Sequence, residues 1–233
     1  EINRIVTDNL ADHFFVTEQS GIDNLLEEGK KAADIYFVGN TMIDALVAYD
    51  QVIAENTIMT KLDVTERAFA LVTIHRPSNV DNKSALEQNI HLLQNIAIKY
   101  PVVFPVHPRT KNKLEQFQLL SLLTSNPNIR ICEPLDYFAF QKLIASCKFI
   151  VTDSGGIQEE ATFRKKPCIT IRPNTERPST ITLGTNTLVE ADISKINQLI
   201  TDIEKHNYKE GNIPPLWDGK ATARIFQVLD KLR

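Results

Sequence analysis

The sequence is poor in cysteine and has no excess of basic residues, and each shortage excludes a class of protein. Its three cysteines are an odd number at wide spacing, which argues against a disulfide framework or a zinc site. Each lies in or beside an apolar run, so we expect Cys132, Cys147 and Cys168 to be buried free thiols. The 26 Lys and Arg residues are outnumbered by 29 Asp and Glu residues, and no basic stripe predicts a nucleic-acid partner.

Long hydrophobic runs, internal repeats and carboxylate clusters are also missing. No apolar run approaches the length of a membrane span or of a signal peptide. We therefore expect no membrane partner and, by default, a cytoplasmic protein. Because no carboxylate cluster resembles a metal cage, we expect neither a metal nor another cofactor.

The sequence does contain an alternation of short β-branched runs with longer amphipathic stretches, which is typical of βαβ units around a parallel sheet. Strands are predicted at Phe69–Thr73, Val102–Pro105, Ile129–Cys132, Phe149–Thr152, Cys168–Ile171 and Thr187–Val189. Helices are predicted at Lys83–Lys99, Lys111–Leu122, Tyr137–Ser146, Ile157–Arg164 and Ile193–His206. Such strands make a doubly wound, Rossmann-like α/β domain, which binds ligands at the carboxyl ends of its parallel strands.

The two ends of the chain differ from this pattern. Residues 1–38 combine a helix-like start, an apolar patch at His13–Val16, a helix at Ile22–Gly29 and a strand at Ile35–Val38, but no complete βαβ set. A helix from about Met42 to Glu55 follows as a connector. We expect residues 1–45 to be the remnant of a truncated amino-terminal Rossmann-like domain with its connector. Residues 46–215 are expected to form a carboxy-terminal Rossmann-like domain, and residues 216–233 a helix that packs back toward the first domain.

A glycine-rich turn joins the predicted strand at Phe149–Thr152 to a helix. Without side chains at Gly155 and Gly156, a diphosphate can approach the backbone closely and meet the free N–H groups of the helix. Ser154 adds a hydroxyl donor, and Glu160 can accept hydrogen bonds from a ribose diol. A plain strand-to-helix turn that uses glycine for its geometry is the alternative, and spacing alone leaves both interpretations open.

Two further loops carry a histidine and an arginine at the end of a predicted strand. His75 and Arg76 follow the first of these strands, and His107 and Arg109 follow the next. Since imidazole and guanidinium groups both contact anionic oxygen, the two pairs suggest an anionic ligand. Surface loops that make only local hydrogen bonds remain the alternative.

Aromatic and charged residues follow two other strands. Tyr137–Phe140 opens a helix, so a ring can face the cleft and stack on a base, although aromatic rings at a helix start usually pack in the core. Arg172–Ser179 is a loop stiffened by two prolines that carries two arginines and a glutamate. Rigid charged loops at strand ends are more often functional than not.

Together these motifs resemble the non-hydrolysing UDP-N-acetylglucosamine 2-epimerases, which have a two-domain, glycosyltransferase-B-like fold. The resemblance spans nearly the whole chain. It is carried, in order, by Glu1–Arg4, Val38–Leu46, His75–Pro77, Pro105–Thr110, Thr152–Ala161, Lys165–Pro167, Thr175–Pro178, Gly184–Asn186 and Leu216–Lys220.

The resemblance implies a role for each matching residue. Nucleotide phosphates are expected at Ser154, Gly155 and Gly156, ribose at Glu160 and uracil against Phe140. His75 matches a histidine implicated in the reaction, and Arg177 borders the sugar-diphosphate cleft. In relatives that are regulated by their own substrate, a second nucleotide-sugar binds between the domains, and Arg76 and His107 match that site. The family also implies a homodimer for the full-length protein, with a UDP-sugar as its small-molecule partner.

The family's reaction removes UDP from C1 while the C2 proton is abstracted, giving 2-acetamidoglucal, and UDP then adds back after protonation from the other face. Its amino-terminal half carries an Arg, an Asp and two Glu residues associated with this chemistry, and the sequence begins just after one of them. We therefore expect a fragment that retains the UDP-binding domain and is inactive alone. Ser78, where many relatives carry Glu, is a departure that bears on substrate choice and regulation.

Other functions remain open at this point. A glycosyltransferase of the same architecture would use the same glycine-rich loop and ribose-binding Glu, but would transfer the sugar to an acceptor. An epimerase for a 2,3-diacetamido uronic acid UDP-sugar would differ from a UDP-GlcNAc 2-epimerase mainly in the sugar-facing residues, which lie largely in the family's amino-terminal half. A non-catalytic UDP-sugar-binding module would bind without turnover.

Overall fold

A computed structural model of the protein describes residues 2–190 and 192–232. Glu1, where the first family motif begins, lies outside the described residues, as do Ala191 and Arg233. The chain divides into two compact units, Glu1–Asp50 with Ile213–Arg233, and Gln51–Asn212. The final helix therefore belongs to the same unit as the amino-terminal segment.

Strands and helices alternate along most of the described chain. The strands β1 to β8 are, in chain order, Phe14–Val16, Ile35–Phe37, Ala70–Thr73, Val102–Pro105, Ile129–Cys132, Phe149–Thr152, Cys168–Ile171 and Asn186–Val189. The helices α1 to α14 are Ile2–Leu10, Gln19–Glu27, Thr41–Ala48, Asp50–Glu55, Ile58–Lys61, Pro77–Val80, Lys83–Ala97, Pro108–Gln116, Leu120–Thr124, Tyr137–Ser146, Gly155–Phe163, Pro178–Thr182, Ile193–Glu204 and Ala221–Lys231.

The larger unit is built on a six-stranded parallel sheet with the order β5-β4-β3-β6-β7-β8. The order reverses between β3 and β6, as in a doubly wound sheet, and ligands bind such sheets beyond the carboxyl ends of the strands at this point. The predicted α/β fold class is confirmed. Of the six strands predicted for this unit, the first and the last differ from the structure, each by one residue at its start.

Alternating side chains of the central strands fill two apolar layers, one on each face of the sheet. Leu71 and Ile150 pack with residues of α10 and α11. Val72 and Val151 pack with residues of α7 and α13. Because neighbouring residues of a strand point to opposite faces, a strand covered on both sides buries all of its side chains and is mainly apolar. Every residue of β3, β4, β6 and β7 is buried.

Polar caps and prolines start the helices around the sheet. The side chains of Asn82, Asp136 and Asp192 accept hydrogen bonds from N–H groups in the first turn of α7, α10 and α13. Pro77 and Pro108 begin α6 and α8, where a proline leaves no hydrogen bond unmade.

Two helices that were predicted as continuous are each divided into two in the structure. The helix expected at Lys111–Leu122 is instead α8 and α9, because Gln118 adopts a left-handed conformation with φ of 58°. The N–H of Leu119 then returns to the carbonyl of Leu114 at 2.8 Å, which closes the end of α8. The helix expected from Met42 to Glu55 is divided into α3 and α4 at Tyr49, whose ψ of 16° departs from helical geometry.

The smaller unit contains a complete βαβ set, contrary to expectation. The apolar patch at His13–Val16 forms β1, which pairs in parallel with β2 across the helix α2. Each strand has only three residues, too few for an alternating pattern to distinguish a strand from an apolar patch.

The carboxy-terminal segment is tied into the smaller unit by hydrogen bonds. The indole N–H of buried Trp217 donates to the carbonyl of Thr17 at 2.9 Å. The carboxylate of Asp44 accepts from the N–H groups of Ala221 and Thr222 at the start of α14, an arrangement favoured by the positive end of the helix dipole. Among the described residues, no helix is both long enough and apolar enough to cross a membrane.

Candidate functional site

A cleft opens at the carboxyl ends of β3, β4, β5 and β6. Four of the predicted site residues, His75, His107, Phe140 and Ser154, contribute to it. The other lining residues are Thr73, Ile74, Pro105, Pro134, Leu135 and Ile157. The sheet thus brings loops that are distant in sequence to one edge.

Gly155 and Gly156 are the first residues of α11, so the helix begins two residues before the predicted start at Ile157. Ser154 is the N-cap of α11, and its side chain makes no capping hydrogen bond, so the hydroxyl is available to a ligand. A Cβ added at Gly155 would meet no atom within 4 Å. A hydrogen bond to the preceding strand fixes the backbone at this position, because the N–H of Ser154 donates to the hydroxyl of Thr152 at 3.0 Å. This leaves an open helix N-terminus of the kind that binds anions.

Asp153 fixes the loop that carries His75. It is fully buried and accepts hydrogen bonds from the backbone N–H groups of His75 and Arg76 and from the side chain of Asn79. Its Oδ1 also lies 3.0 Å from Nδ1 of His75. Burial alone would raise the pKa of Asp153, but these hydrogen bonds, that of the His75 ring foremost, outweigh it and lower the pKa below its usual value.

The loops that carry His75 and His107 lie next to each other, but the arginines that accompany these histidines differ in their burial and in their partners. The rings of His75 and His107 lie 5.1 Å apart between centroids. His107 also caps α8, since its Nδ1 accepts from the N–H of Arg109 at 3.1 Å. The side chain of Arg109 forms an exposed ion pair with Asp81, whereas the Nε of Arg76 is buried and has no hydrogen-bond partner in the described part of the chain.

Glu160, the acidic residue predicted to bind ribose, is almost completely buried, with 7% of its surface exposed. The pKa of Glu160 is raised to about 7, mainly by burial and also by the charge of nearby Glu159, although a hydrogen bond with Gln141 and the charge of Arg164 oppose the shift. A carboxyl group with this pKa exchanges its proton near neutral pH.

Arg177 is joined to the helix of the glycine-rich turn. Its Nε lies 3.0 Å from Oε1 of Glu159, which is buried, while the arginine side chain is 40% exposed. In the same loop Arg172 pairs with Glu176, and its hydrogen bond lowers the pKa of that carboxyl to about 2. In the described residues, no group of three or more His, Cys, Asp or Glu side chains could hold a metal ion.

Comparison with known proteins assigns the chain to a family. The family model described as UDP-N-acetylglucosamine 2-epimerase matches residues 1–230. The chain belongs to the UDP-N-acetylglucosamine 2-epimerase family. It is 37% identical to the UDP-N-acetylglucosamine 2-epimerase of Methanocaldococcus jannaschii over 98% of its own length and 63% of that relative. It is 35% identical to the UDP-2,3-diacetamido-2,3-dideoxy-D-glucuronate 2-epimerase of Pseudomonas aeruginosa, over 100% and 63% of the two chains.

A solved epimerase structure shares the fold. The crystal structure of the M. jannaschii UDP-GlcNAc 2-epimerase in complex with UDP-GlcNAc and UDP superposes with a TM-score of 0.87 at 37% identity. The match covers 99% of this chain and 64% of that one. The chain therefore spans less than two thirds of the length of the epimerases it matches.

A buried polar network supports the site of this epimerase-family chain, and sequence reasoning missed it. The side chain of Gln158 donates to the carbonyl of Ser154 at 3.1 Å and accepts from the hydroxyl of Thr175 at 2.6 Å and the amide of Asn186 at 3.0 Å. Thr175 in turn accepts from the N–H of Arg177. Gln158 thus connects the glycine-rich turn to the arginine loop. The motif included Gln158, but no pattern in the sequence indicated these partners.

Proposed function

We propose that this chain is the UDP-binding part of a UDP-N-acetylglucosamine 2-epimerase, an isomerase that interconverts UDP-GlcNAc and UDP-ManNAc. The observation that carries the proposal is the cleft in which an open helix N-terminus at Ser154 faces the same space as His75 and Phe140. The solved M. jannaschii relative, which is named as a complex with UDP-GlcNAc and UDP, supports the same ligand class.

The nucleotide occupies the start of α11 in this proposal. The diphosphate lies against Ser154, Gly155 and Gly156, where N–H groups and the helix dipole favour negative charge. The ribose hydroxyls donate to Glu160, one helical turn further on. The uracil packs against Phe140, which is half-buried and lines the cleft.

The reaction requires firm capture of the diphosphate that leaves C1. As the C1–O bond breaks, a base removes the C2 proton and 2-acetamidoglucal forms, and UDP adds back once C2 is protonated from the other face. His75 acts on the departing phosphate or on a proton, and Arg177 borders the sugar-diphosphate cleft. The guanidinium of Arg177 and the helix N–H groups stabilise the released UDP.

Regulation, assembly and location follow the family in this proposal. Arg76 and His107 contribute to a second, regulatory nucleotide-sugar site, the full-length enzyme is a homodimer, and it acts in the cytoplasm. The chain binds UDP without a metal or another cofactor. Because the proton-transferring carboxylates belong to the family's amino-terminal half, the chain does not epimerise its ligand alone.

Proton NMR of UDP-GlcNAc in heavy water tests the reaction. A hybrid that joins the amino-terminal half of the M. jannaschii relative to this chain should place deuterium at C2 and produce the manno epimer. This chain alone should leave the C2 proton in place, and the intact relative serves as the positive control. Stable C2 signals with a folded hybrid that binds UDP would reject the reaction.

A second candidate is the epimerisation of a UDP-2,3-diacetamido uronic acid sugar. The observation in its favour is the 35% identity to the P. aeruginosa enzyme of that name. Because the two candidates differ mainly in the amino-terminal half, this chain is joined in turn to that half of the M. jannaschii relative and of the P. aeruginosa enzyme. Each hybrid is tested by the same NMR experiment with the sugar of its donor, and the favoured candidate is the one whose hybrid exchanges the C2 proton at a rate nearer to that of its intact relative.

A further inference from the structure

Asp153 has more hydrogen-bond donors around it than a structural turn requires. It accepts from the backbone N–H groups of His75 and Arg76, at 2.9 and 2.8 Å, and from the amide of Asn79, at 3.0 Å. The ring Nδ1 of His75 adds a further contact at 3.0 Å. All of these groups face one carboxylate that has no exposure to solvent.

This arrangement decides which nitrogen of His75 carries the proton. An ionised carboxylate only accepts hydrogen bonds, so the nitrogen that faces it must be protonated. Since Nδ1 is the nitrogen that faces Asp153, the lone pair of the neutral ring lies on Nε2. Nε2 lies on the far side of the ring, and among the described residues it has no hydrogen-bond partner, while the His75 side chain is 32% exposed and lines the cleft.

We propose that Asp153 is a positioning residue, which holds His75 as its Nδ1–H tautomer and directs Nε2 into the cleft. Asp153 does not touch the substrate. It acts through His75, much as the buried aspartate of a serine-protease triad orients its histidine. The inference rests on the proposed function only for its effect on turnover, because the tautomer is a property of the free protein.

The tautomer of His75 decides whether its ring presents a proton acceptor or an N–H donor to the cleft. Nε2 can accept a proton from a ligand and return it, while Nδ1 keeps its own proton on Asp153. A ring in the other tautomer would present an N–H to the cleft and could not accept. Asp153 therefore makes His75 competent to take up a proton.

The substitution Asp153→Asn tests this with little change in shape. The new amide group must turn its NH2 either toward the N–H donors of His75, Arg76 and Asn79, which all donate to Oδ2 of Asp153, or toward the ring of His75. The second orientation keeps these three hydrogen bonds on the amide oxygen, so Nδ1 becomes an acceptor and the ring changes to its Nε2–H tautomer. Long-range proton–nitrogen NMR of the labelled chain distinguishes protonated from unprotonated ring nitrogens. The spectra are recorded at a pH where they show one protonated and one unprotonated ring nitrogen.

The expected spectra are an Nδ1–H ring in the wild-type chain and an Nε2–H ring in Asp153→Asn. Asn79→Ala, which removes a donor but keeps the carboxylate, should retain the wild-type tautomer. Asp81→Asn, which makes the same change in a neighbouring surface ion pair, should also retain the wild-type tautomer of His75. If Asp153→Asn does not fold, the wild-type spectrum still decides, because an Nε2–H tautomer there overturns the inference.

Turnover gives the second readout, in the hybrid described above. Asp153→Asn should lower kcat for C2 exchange by about 10²–10⁴-fold, the usual value of a positioned acid–base group, with little change in KM. A changed tautomer with unchanged kcat would overturn the positioning role. If the wild-type hybrid binds UDP but shows no exchange, the proposed function fails, while the spectra still decide the assignment of Asp153.

Discussion

Glu160 is the residue on which the nucleotide assignment depends most directly. It is buried one turn inside α11, so the ribose interaction can be removed without altering the surface of the protein. We predict that Glu160→Ala weakens UDP binding by roughly 1–3 kcal/mol, the cost of losing hydrogen bonds to a charged acceptor. Isothermal titration calorimetry measures the change, with the exposed Glu133→Ala as control. Equal affinity in wild type and Glu160→Ala would reject the ribose role.

The pKa of about 7 at Glu160 also predicts a pH dependence. Ribose hydroxyls donate hydrogen bonds, so binding favours the ionised carboxylate, whose fraction rises as the pH rises through this value. Uridine affinity should therefore increase from pH 5 and level off above about pH 8, where nearly all of the carboxyl groups are ionised. Uridine is the suitable ligand because it has no phosphate that titrates in this range.

The matched variant Glu160→Gln keeps the shape of the side chain but cannot ionise. Its uridine affinity should not follow the wild-type pH profile. A parallel rise with pH in both proteins would assign the dependence to another group.

The start of α11 is the element that binds phosphate in this account. A Cβ at Gly155 would point into open space, so Gly155→Leu should fold normally and occupy the volume of the diphosphate. We predict at least about a tenfold loss of UDP affinity, or about 1.4 kcal/mol, with uridine affinity nearly unchanged. Calorimetry with both ligands measures the difference.

A contrasting glycine separates steric blocking from loss of fold. A Cβ at Gly184 would lie 2.5 Å from the side chain of Thr162, so Gly184→Ala should lower thermal stability and weaken both ligands alike. The same result for Gly155→Leu would contradict the phosphate role.

Gln158 holds the loops around this helix together, so its loss should destabilise the larger unit. Gln158→Ala leaves a cavity and deprives Ser154, Thr175 and Asn186 of a buried partner. We predict a decrease of about 2–4 kcal/mol in the free energy of unfolding. Urea unfolding measures it, with the surface variant Gln116→Ala as control. A loss no larger than that of the control would show that the network is not needed for stability.

The sheet could be predicted from the sequence almost to the residue, because each strand is a short apolar run bounded by polar turns. Helix ends were less certain. The break at Gln118 depends on a left-handed residue that is not glycine, and no composition rule marks such a site. The βαβ set of residues 14–37 was missed because β1 is too short to show a period, although the helix and the second strand of the set were predicted.

The candidate site was predictable where position in the fold determines it. The carboxyl ends of parallel strands share one edge, so His75, His107, Phe140 and Ser154 had to come close together. The role of Asp153 was not predictable, since it rests on a contact with His75 across 78 positions of sequence. A buried carboxylate in a strand-to-helix turn has no local signature of the partner it will orient.

The whole molecule is a member of the UDP-N-acetylglucosamine 2-epimerase family that spans about 63% of the length of its M. jannaschii relative. Its larger unit, Gln51–Asn212, contains the whole of the cleft. Binding of UDP can therefore be tested on this chain by itself, and it is the property from which the other proposals follow.

Titration of UDP into the isotope-labelled chain, followed by amide NMR, tests that claim most directly. We predict saturable shifts at Ser154, Gly155, Gly156 and His75, where the diphosphate is expected to lie, with uridine shifting Phe140 but not the glycines. Shifts confined to another surface, or no shifts at millimolar UDP, would contradict the assignment of the cleft.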